Sequence, residues 1–131
     1  MLKVSVIIPV YNVTEYLTEA LDSVFTQTMD RKDYEVIVVD DGSDEPVRKR
    51  LESYENYDSI KFIEQSNKGL PAARNAGIKE AQGDFLVFLD ADDMLNREKL
   101  ERQSRILKAN PDASFVYSKA FLIRNNQITS E

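Results

Sequence analysis

The sequence contains no cysteine and no histidine among its 131 residues. Without cysteine there are no disulfides, no thiolate nucleophile and no cysteine zinc site. Without histidine the usual general base and the usual nitrogen ligand for metals are absent. Acid–base chemistry or metal binding by these residues must therefore use carboxylates, lysine or tyrosine.

Positive charge is in the minority, because 17 Lys and Arg stand against 23 Asp and Glu, giving a formal net charge of -6. Neutralisation of a phosphate backbone is a poor driving force for such a chain, so we expect no nucleic-acid partner. No apolar run reaches the length of a membrane span, and the first residues lack the features of a secretion signal. The sequence predicts no transmembrane segment and a cytoplasmic location, with a peripheral position at the inner membrane face left open.

The composition, with 42% apolar and 31% charged residues, is that of one globular domain, which we expect to span residues 1–131. Short apolar runs alternate with amphipathic stretches along it. Strands are predicted over 4–10, 35–40, 60–63 and 84–90, and helices over 13–25, 45–54, 71–81 and 97–109. Such alternation predicts a doubly wound α/β fold, with a mostly parallel sheet and helices on both faces.

Several polar residues are predicted to begin or end these helices. Asn12, Ser43 or Asp44, and Asn96 are expected as N-caps, and Gly83 as a C-cap. An extended segment over 114–123 is followed by turn residues at 125–126 and a return strand at 127–129. This unfinished return strand indicates a fragment of a longer protein.

Acidic side chains follow two of the predicted strands. Asp40 and Asp41 follow one, and Asp90, Asp92 and Asp93 follow another. In an open parallel sheet, ligands bind at the carboxyl ends of the strands, where the first strand also ends in Tyr11. Five carboxylates on one rim would raise one another's pKa values unless a cation offset them. An all-oxygen ligand set favours Mg²⁺ or Mn²⁺.

Each of these features also has a purely structural interpretation. Asp-Asp-Gly-Ser after a strand is often a turn followed by a helix cap. Tyr11 can be a packed strand-end residue, and Gly77 can serve close packing of a helix on the sheet. Arg74 fits a surface role poorly because it lies in a stretch of small residues. No Walker loop and no G-x-G-x-x-G fingerprint is present.

Four motifs together resemble the family 2 glycosyltransferases of the GT-A fold. They are Ser5-Val6-Ile7-Ile8-Pro9-Val10-Tyr11-Asn12, Asp40-Asp41-Gly42-Ser43, Asn67-Lys68-Gly69 with Ala73-Arg74-Asn75-Ala76-Gly77, and Gly83-Asp84 leading to Asp90-Ala91-Asp92-Asp93. The resemblance covers roughly residues 3–124 in the order of the family. Each motif is weak alone, and the four in register are specific.

The resemblance implies a donor-binding domain of an inverting glycosyltransferase that uses a nucleotide diphosphate sugar, with a UDP-sugar expected. By similarity, Pro9 and Tyr11 line the base pocket, with Tyr11 stacking on the base. Asp41 is expected to bind the edge of a uracil-type base. Arg74 is expected near the nucleotide, as a base or phosphate contact or as a partner of the acidic residues.

The resemblance also implies a D-x-D metal site. Asp92 is expected as the direct ligand of Mn²⁺ or Mg²⁺, and Asp90 is expected to face the ribose or the metal. A cation at the diphosphate would neutralise the charge that develops on the leaving group.

The general base of this family lies in a later part of the domain, which this sequence lacks. The catalytic base is therefore expected outside these residues, as are the determinants of the donor sugar and of a saccharide or lipid-linked acceptor. Three alternatives remain: a non-catalytic nucleotide-binding or protein-interaction domain of the same fold, a receiver-type domain and a nucleotidyltransferase. A receiver domain needs its acidic pair after the first strand, whereas here the pair follows the second.

Overall fold

The computed structural model describes residues 3–12 and 15–129. Within them, four strands form a parallel sheet and two more form a separate hairpin. The strands are β1 (Val4–Val10), β2 (Tyr34–Asp40), β3 (Ile60–Glu64), β4 (Phe85–Phe88), β5 (Leu122–Arg124) and β6 (Gln127–Thr129). The helices are α1 (Leu17–Phe25), α2 (Val47–Arg50), α3 (Leu70–Glu80) and α4 (Lys99–Ala109).

The main sheet has the strand order β3-β2-β1-β4, and all of its pairs are parallel. β1 lies in the middle, where Val6 pairs with Val36 of β2 and with Val87 of β4. All seven residues of β1 are buried, as expected for an apolar strand covered on both faces. The carboxyl ends of β2, β1 and β4 therefore lie side by side at one edge of the sheet.

Helices cover both faces of the sheet, which confirms the doubly wound prediction. Val6 and Ile8 point into the larger core together with Leu21 of α1. Ile7 points to the other face, where Ala73 of α3 packs against the sheet.

Gly77 brings α3 close to β1. A Cβ at this position would lie 2.5 Å from Cγ2 of Ile7, so any larger residue would push the helix away from the sheet. The interpretation of Gly77 as a close-packing residue is confirmed.

The predicted cap at Asn12 is wrong. α1 begins at Leu17, its cap position is occupied by Tyr16, and Tyr16 makes no side-chain cap hydrogen bond. Asn12 has a φ of 54°. Its side chain instead accepts a hydrogen bond from the Asp44 backbone N–H at 2.8 Å and donates to the Asp44 carboxylate at 3.3 Å. Val13 and Thr14 lie outside the described residues.

The predicted cap of α2 at Ser43 or Asp44 is also wrong. The helix is a single turn that begins at Val47 after Pro46. The capping oxygen comes from the end of β2, because the Asp40 carboxylate accepts a hydrogen bond from the Val47 N–H at 2.9 Å.

The chain does not use Gly83 as a helix cap, because α3 ends at Glu80 and Ala81 takes the cap position. Gly83 lies against β1 instead, where a Cβ would be 2.6 Å from the Ser5 nitrogen. At α4 the cap position is Glu98, two residues later than predicted, and the Asn96 side chain accepts from the Glu98 N–H at 3.0 Å. The predicted end of this helix before Asn110 is confirmed.

The tail folds as a separate hairpin. Asn125 and Asn126, with φ of 51° and 60°, form the turn between β5 and β6, which confirms the predicted turn and return strand. The predicted extended segment 114–123 becomes a strand only from Leu122 onward. Phe115 and Tyr117 are 75% and 85% exposed, because this segment packs on no core. In the described part of the chain no helix is long and apolar enough to cross a membrane.

Candidate functional site

A cleft of about 330 Å³ opens at the carboxyl edge of the sheet, between the end of β1 and the start of α3. Half of the Tyr11 ring is exposed beside it. Its lining consists of Pro9, Val10, Tyr11, Asp41, Asn67, Gly69, Leu70 and Ala73. The structure thus brings together three of the predicted site residues: Pro9, Tyr11 and Asp41.

Asp41 is 3% exposed and holds one wall of this cleft in place. One carboxylate oxygen accepts hydrogen bonds from Gln65 Nε2 and the Lys68 N–H, both at 2.8 Å. The other accepts from the Gly69 N–H at 2.9 Å. Burial raises the pKa of Asp41, but these hydrogen bonds outweigh it and hold the pKa below its usual value. Asp41 is therefore an ionised anchor for the loop 65–69.

Asp40, also buried, has a different structural task. Its two oxygens accept from the Ser43 and Val47 backbone N–H groups, both at 2.9 Å. The prediction that five carboxylates share one cation at the rim is therefore wrong for Asp40 and Asp41. Both are removed from solvent and satisfied by hydrogen-bond donors, so neither needs a cation to offset its charge.

The remaining carboxylates lie on the acidic loop, residues 90–93, which follows β4. The loop is anchored by Leu89, whose N–H donates to the Ile7 carbonyl at 3.0 Å. It turns back through a hydrogen bond from the Asp93 N–H to the Asp90 carbonyl at 3.0 Å. Burial raises the pKa of Asp93, and the charges of Asp92 and Asp90 raise it further. The three carboxylates thus repel one another.

Arg74 joins the acidic loop to the cleft. Its guanidinium lies 3.1 Å from Asp90, and it follows Ala73, which lines the cleft. The Arg74 Nε atom is buried and has no hydrogen-bond partner within residues 3–12 and 15–129. Arg74 was expected to fit a surface role poorly, and this expectation is supported because the residue bridges the cleft and the acidic loop.

A divalent cation fits this loop only together with a ligand. Among the described residues, no group of three or more acidic side chains is arranged to hold a metal. Mg²⁺, however, is usually held by one or two carboxylates completed by substrate phosphates. Asp92 has no hydrogen bond or ion pair in the described part of the chain, and the charges beside it favour a cation. The donor set therefore suits a cation shared with a diphosphate.

The cleft includes residues to which the sequence assigned no role. Asn67, Gly69 and Leu70 line it. The sequence motif included Asn67 and Gly69 without giving them a role, and it did not include Leu70. Gly69 has a φ of 91° directly before α3, and a glycine ahead of Pro71 was the available signal.

The sheet order and the cleft at its carboxyl edge define a doubly wound α/β domain of the ligand-binding class. The sequence model of the family "Glycosyl transferase family 2" matches residues 5–126. The chain therefore belongs to glycosyl transferase family 2. This membership confirms the predicted resemblance and replaces the receiver-type and nucleotidyltransferase alternatives.

Its relatives are longer proteins. An uncharacterized glycosyltransferase of Rickettsia felis is 39% identical over 116 residues, covering 88% of this chain and 18% of the relative. Poly(ribitol-phosphate) beta-N-acetylglucosaminyltransferase TarS of Staphylococcus aureus is 40% identical over 103 residues, which are 77% of this chain and 18% of TarS. This chain thus spans less than a fifth of each.

Solved structures confirm the GT-A fold. The S. aureus TarS 1-349 complex with UDP-GlcNAc superposes with a TM-score of 0.76 at 36% identity, covering 84% of this chain and 32% of TarS 1-349. The mannosyltransferase PcManGT from Pyrobaculum calidifontis, in complex with GDP-Man and Mn²⁺, gives a TM-score of 0.67 at 29% identity. This superposition covers 75% of this chain and 30% of PcManGT.

Proposed function

We propose that residues 1–131 form the donor-binding domain of a metal-dependent, inverting glycosyltransferase that takes its sugar from a UDP-sugar. The observation that carries this proposal is the Arg74–Asp90 ion pair at 3.1 Å, which links the cleft to the acidic loop. A nucleotide diphosphate needs both parts, because its base is flat and apolar whereas its phosphates are charged. The UDP-GlcNAc complex of the related TarS supports the choice of uridine.

The base is expected to enter the cleft. Tyr11, whose ring is 48% exposed, offers a face for stacking, and Pro9 adds an apolar wall. Asp41 keeps one lone pair on the oxygen that accepts from the Gly69 N–H, and it can offer this lone pair to an N–H on the edge of a uracil. Its present hydrogen bonds orient it, since they hold both oxygens at the cleft wall.

Asp92, with Asp90, would hold Mn²⁺ or Mg²⁺ in this proposal. The bound cation would supply neutralisation of the negative charge on the departing diphosphate. Arg74 adds a fixed positive charge from α3, and its buried Nε still has hydrogen-bonding capacity to offer. The Mn²⁺ complex of PcManGT supports this assignment.

The acceptor hydroxyl and its general base are assigned to parts of the protein outside this chain. The acceptor is a saccharide or a lipid-linked saccharide. Two bacterial relatives are named as transferases of poly(ribitol-phosphate), which supports a polymeric acceptor. Inversion requires a base on the face of the sugar opposite the diphosphate. No carboxylate of this chain, Asp112 included, is assigned that role.

Calorimetric titration of the chain with UDP, with and without Mn²⁺, tests the proposal, with GDP and ATP as competitors of different base. We expect saturable UDP binding that strengthens with Mn²⁺. Asp92→Asn is expected to abolish the Mn²⁺-dependent part and leave the fold intact, because the side chain keeps its size and has no partner to lose within residues 3–12 and 15–129. Asp84→Asn, an exposed carboxylate at the opposite end of β4, is the matched control. Unchanged metal dependence in Asp92→Asn would refute the ligand assignment.

A non-catalytic domain of the same fold is the second candidate. Its supporting observation is that the described residues form a cleft and an acidic loop to which no general base is assigned. Metal-dependent UDP binding without sugar transfer by a longer chain would favour it over the transferase.

A further inference from the structure

The last turn of α1 is tied to the segment that follows the acidic loop. Gln27, just beyond this helix, is 9% exposed, although glutamine is usually a surface residue. Its position in the sequence offers no reason for burial. The reason lies in contacts with residues about 70 positions further along the chain.

Every hydrogen-bonding position of the Gln27 amide but one acceptor lone pair is used. Nε2 donates to the Ser23 carbonyl at 3.0 Å and to the Asn96 carbonyl at 2.7 Å. Oε1 accepts from the Leu100 N–H at 3.0 Å. Only glutamine at this length supplies two donors and an acceptor, since glutamate lacks the donors and methionine lacks both.

Two neighbours of Gln27, Ser23 and Thr28, make further contacts with the same segment. We call these three residues the clamp. The Ser23 hydroxyl donates to the Ala20 carbonyl at 2.6 Å and accepts from the Leu95 N–H at 3.0 Å. The Thr28 N–H donates to the Arg97 carbonyl at 3.0 Å. The backbone is therefore held at residues 95, 96, 97 and 100.

The acidic loop is held at one end by β1 and at the other end by the clamp. On one side the Leu89 N–H is bonded to Ile7, and on the other the Leu95 N–H is bonded to Ser23. Asp92 lies midway, three residues from either anchor, and its own side chain has no hydrogen bond in the described part of the chain. Its position is set by these two anchors together with the Asp93–Asp90 backbone hydrogen bond and the Arg74–Asp90 ion pair.

We propose that Gln27, assisted by Ser23, is a positioning residue that sets the acidic loop for cation and diphosphate binding. The inference rests on the proposed function, in which Asp92 and Asp90 serve that purpose. Gln27 itself touches neither ligand and acts through Asn96 and Leu100, whereas Ser23 acts through Leu95.

The test compares Gln27→Met, which keeps the length and removes all three hydrogen bonds, with Ile60→Ala. Ile60 is 8% exposed in β3, at the sheet edge remote from the loop, so its truncation destabilises the fold without touching the clamp. UDP affinity is measured with and without Mn²⁺. Gln27→Met is expected to lose most of the Mn²⁺-dependent gain while Mn²⁺-free affinity changes less than about twofold, as the cleft is untouched. Ile60→Ala is expected to keep the gain.

A purely structural role predicts instead that both variants keep the gain, or lose it in proportion to stability. Either result would overturn the inference. Ser23→Ala removes the anchor of Leu95 and the hydrogen bond within α1 to the Ala20 carbonyl, but it leaves the Gln27 hydrogen bonds in place. It serves if Gln27→Met does not fold, and it is expected to lose part of the gain.

Hydrogen exchange separates this inference from the proposed function. Amides of residues 90–95 are expected to exchange faster in Gln27→Met and Ser23→Ala than in Ile60→Ala, with or without a ligand. If the unaltered chain shows no Mn²⁺ effect, the proposed function fails, and exchange alone decides the positioning role. Equal exchange in the variants would then overturn it.

Discussion

Replacing Asp41 with asparagine tests whether this buried carboxylate holds the loop 65–69, one wall of the cleft, in place. The side chains have nearly the same shape, so the change removes a charge and substitutes an amide for one oxygen. The remaining oxygen can keep the hydrogen bonds from Gln65 and the Lys68 N–H. The new NH₂ group then faces the Gly69 N–H, donor against donor, where the carboxylate accepts at 2.9 Å.

The size of the effect follows from these three hydrogen bonds. One bond to a charged group, worth about 1.5–3 kcal/mol, is lost, and the other two weaken to neutral bonds of about 1 kcal/mol each. Relief of the cost of burying a charge offsets part of this loss. We expect the free energy of unfolding to fall by about 2–4 kcal/mol at pH 7. UDP affinity is expected to fall too, because the loop 65–69 loses its anchor.

The pH dependence of the free energy of unfolding tests independently whether the Asp41 carboxylate stabilises the fold in its charged form. The pKa of Asp41 in the folded chain lies below its ordinary value of 3.8. Its stabilisation is therefore fully present above the unfolded-state value and is lost as the pH falls through the folded-state value. The difference between the unaltered chain and Asp41→Asn is expected to stay constant from pH 7 to about 5 and to shrink below about pH 4.

Urea denaturation across this pH range measures the difference. Asp58→Asn provides the control, since Asp58 is an exposed carboxylate in the turn before β3. It is expected to change stability by less than about 0.5 kcal/mol. A loss in Asp41→Asn as small as this, or one that persists unchanged at low pH, would refute the reasoning.

Three further substitutions test the cleft and the core. Tyr11→Ala is expected to cost about 1–3 kcal/mol of UDP binding free energy by calorimetry, through lost stacking on the base. Its urea midpoint should not move, as the ring is 48% exposed. Gly77→Ala places a Cβ 2.5 Å from Ile7 and is expected to destabilise the chain by about 1–3 kcal/mol in urea, whereas an unchanged midpoint would mean that α3 can shift. Tyr34→Phe removes the O–H that donates to the Val24 carbonyl at 2.9 Å, with an expected loss of about 1–2 kcal/mol by thermal unfolding; no loss would mean that another donor replaces it.

The strands were predictable because their signal is local. An apolar run such as Val4–Val10 needs two covered faces, and the structure places both ends of β1 at the predicted residues. Helix caps were not predictable in the same way. Asn12 has the chemistry of a cap, but its partner is Asp44, 32 positions away, and a local rule cannot weigh that contact.

The same distinction applies to the site. The gathering of Pro9, Tyr11 and Asp41 was predictable from strand order, since parallel strands present their carboxyl ends at one edge. The partners of Asp41 lie 24 to 28 positions away, and those of Gln27 lie up to 73 away. No periodicity or capping rule connects residues across such distances, so the sequence revealed the acidic residues without revealing which of their charges were already stabilised by hydrogen-bond donors.

The cleft and the acidic loop differ in whether the described residues alone stabilise their carboxylate charges. In the cleft, the charge of Asp41 is met by three donors, so this wall is rigid before any ligand arrives. On the acidic loop only Asp90 has a cationic partner among residues 3–12 and 15–129, and the pKa of Asp93 is raised by burial and by its acidic neighbours. The loop is therefore held in place by its anchors, while the charges of Asp92 and Asp93 are not compensated by a cation within the described residues. A cleft whose buried carboxylate is already satisfied, next to an acidic loop whose repulsion is not relieved, is consistent with the proposed ligand, which brings its own phosphates. In that proposal a base alone would leave the repulsion on the loop, and a cation alone would lack a third protein ligand.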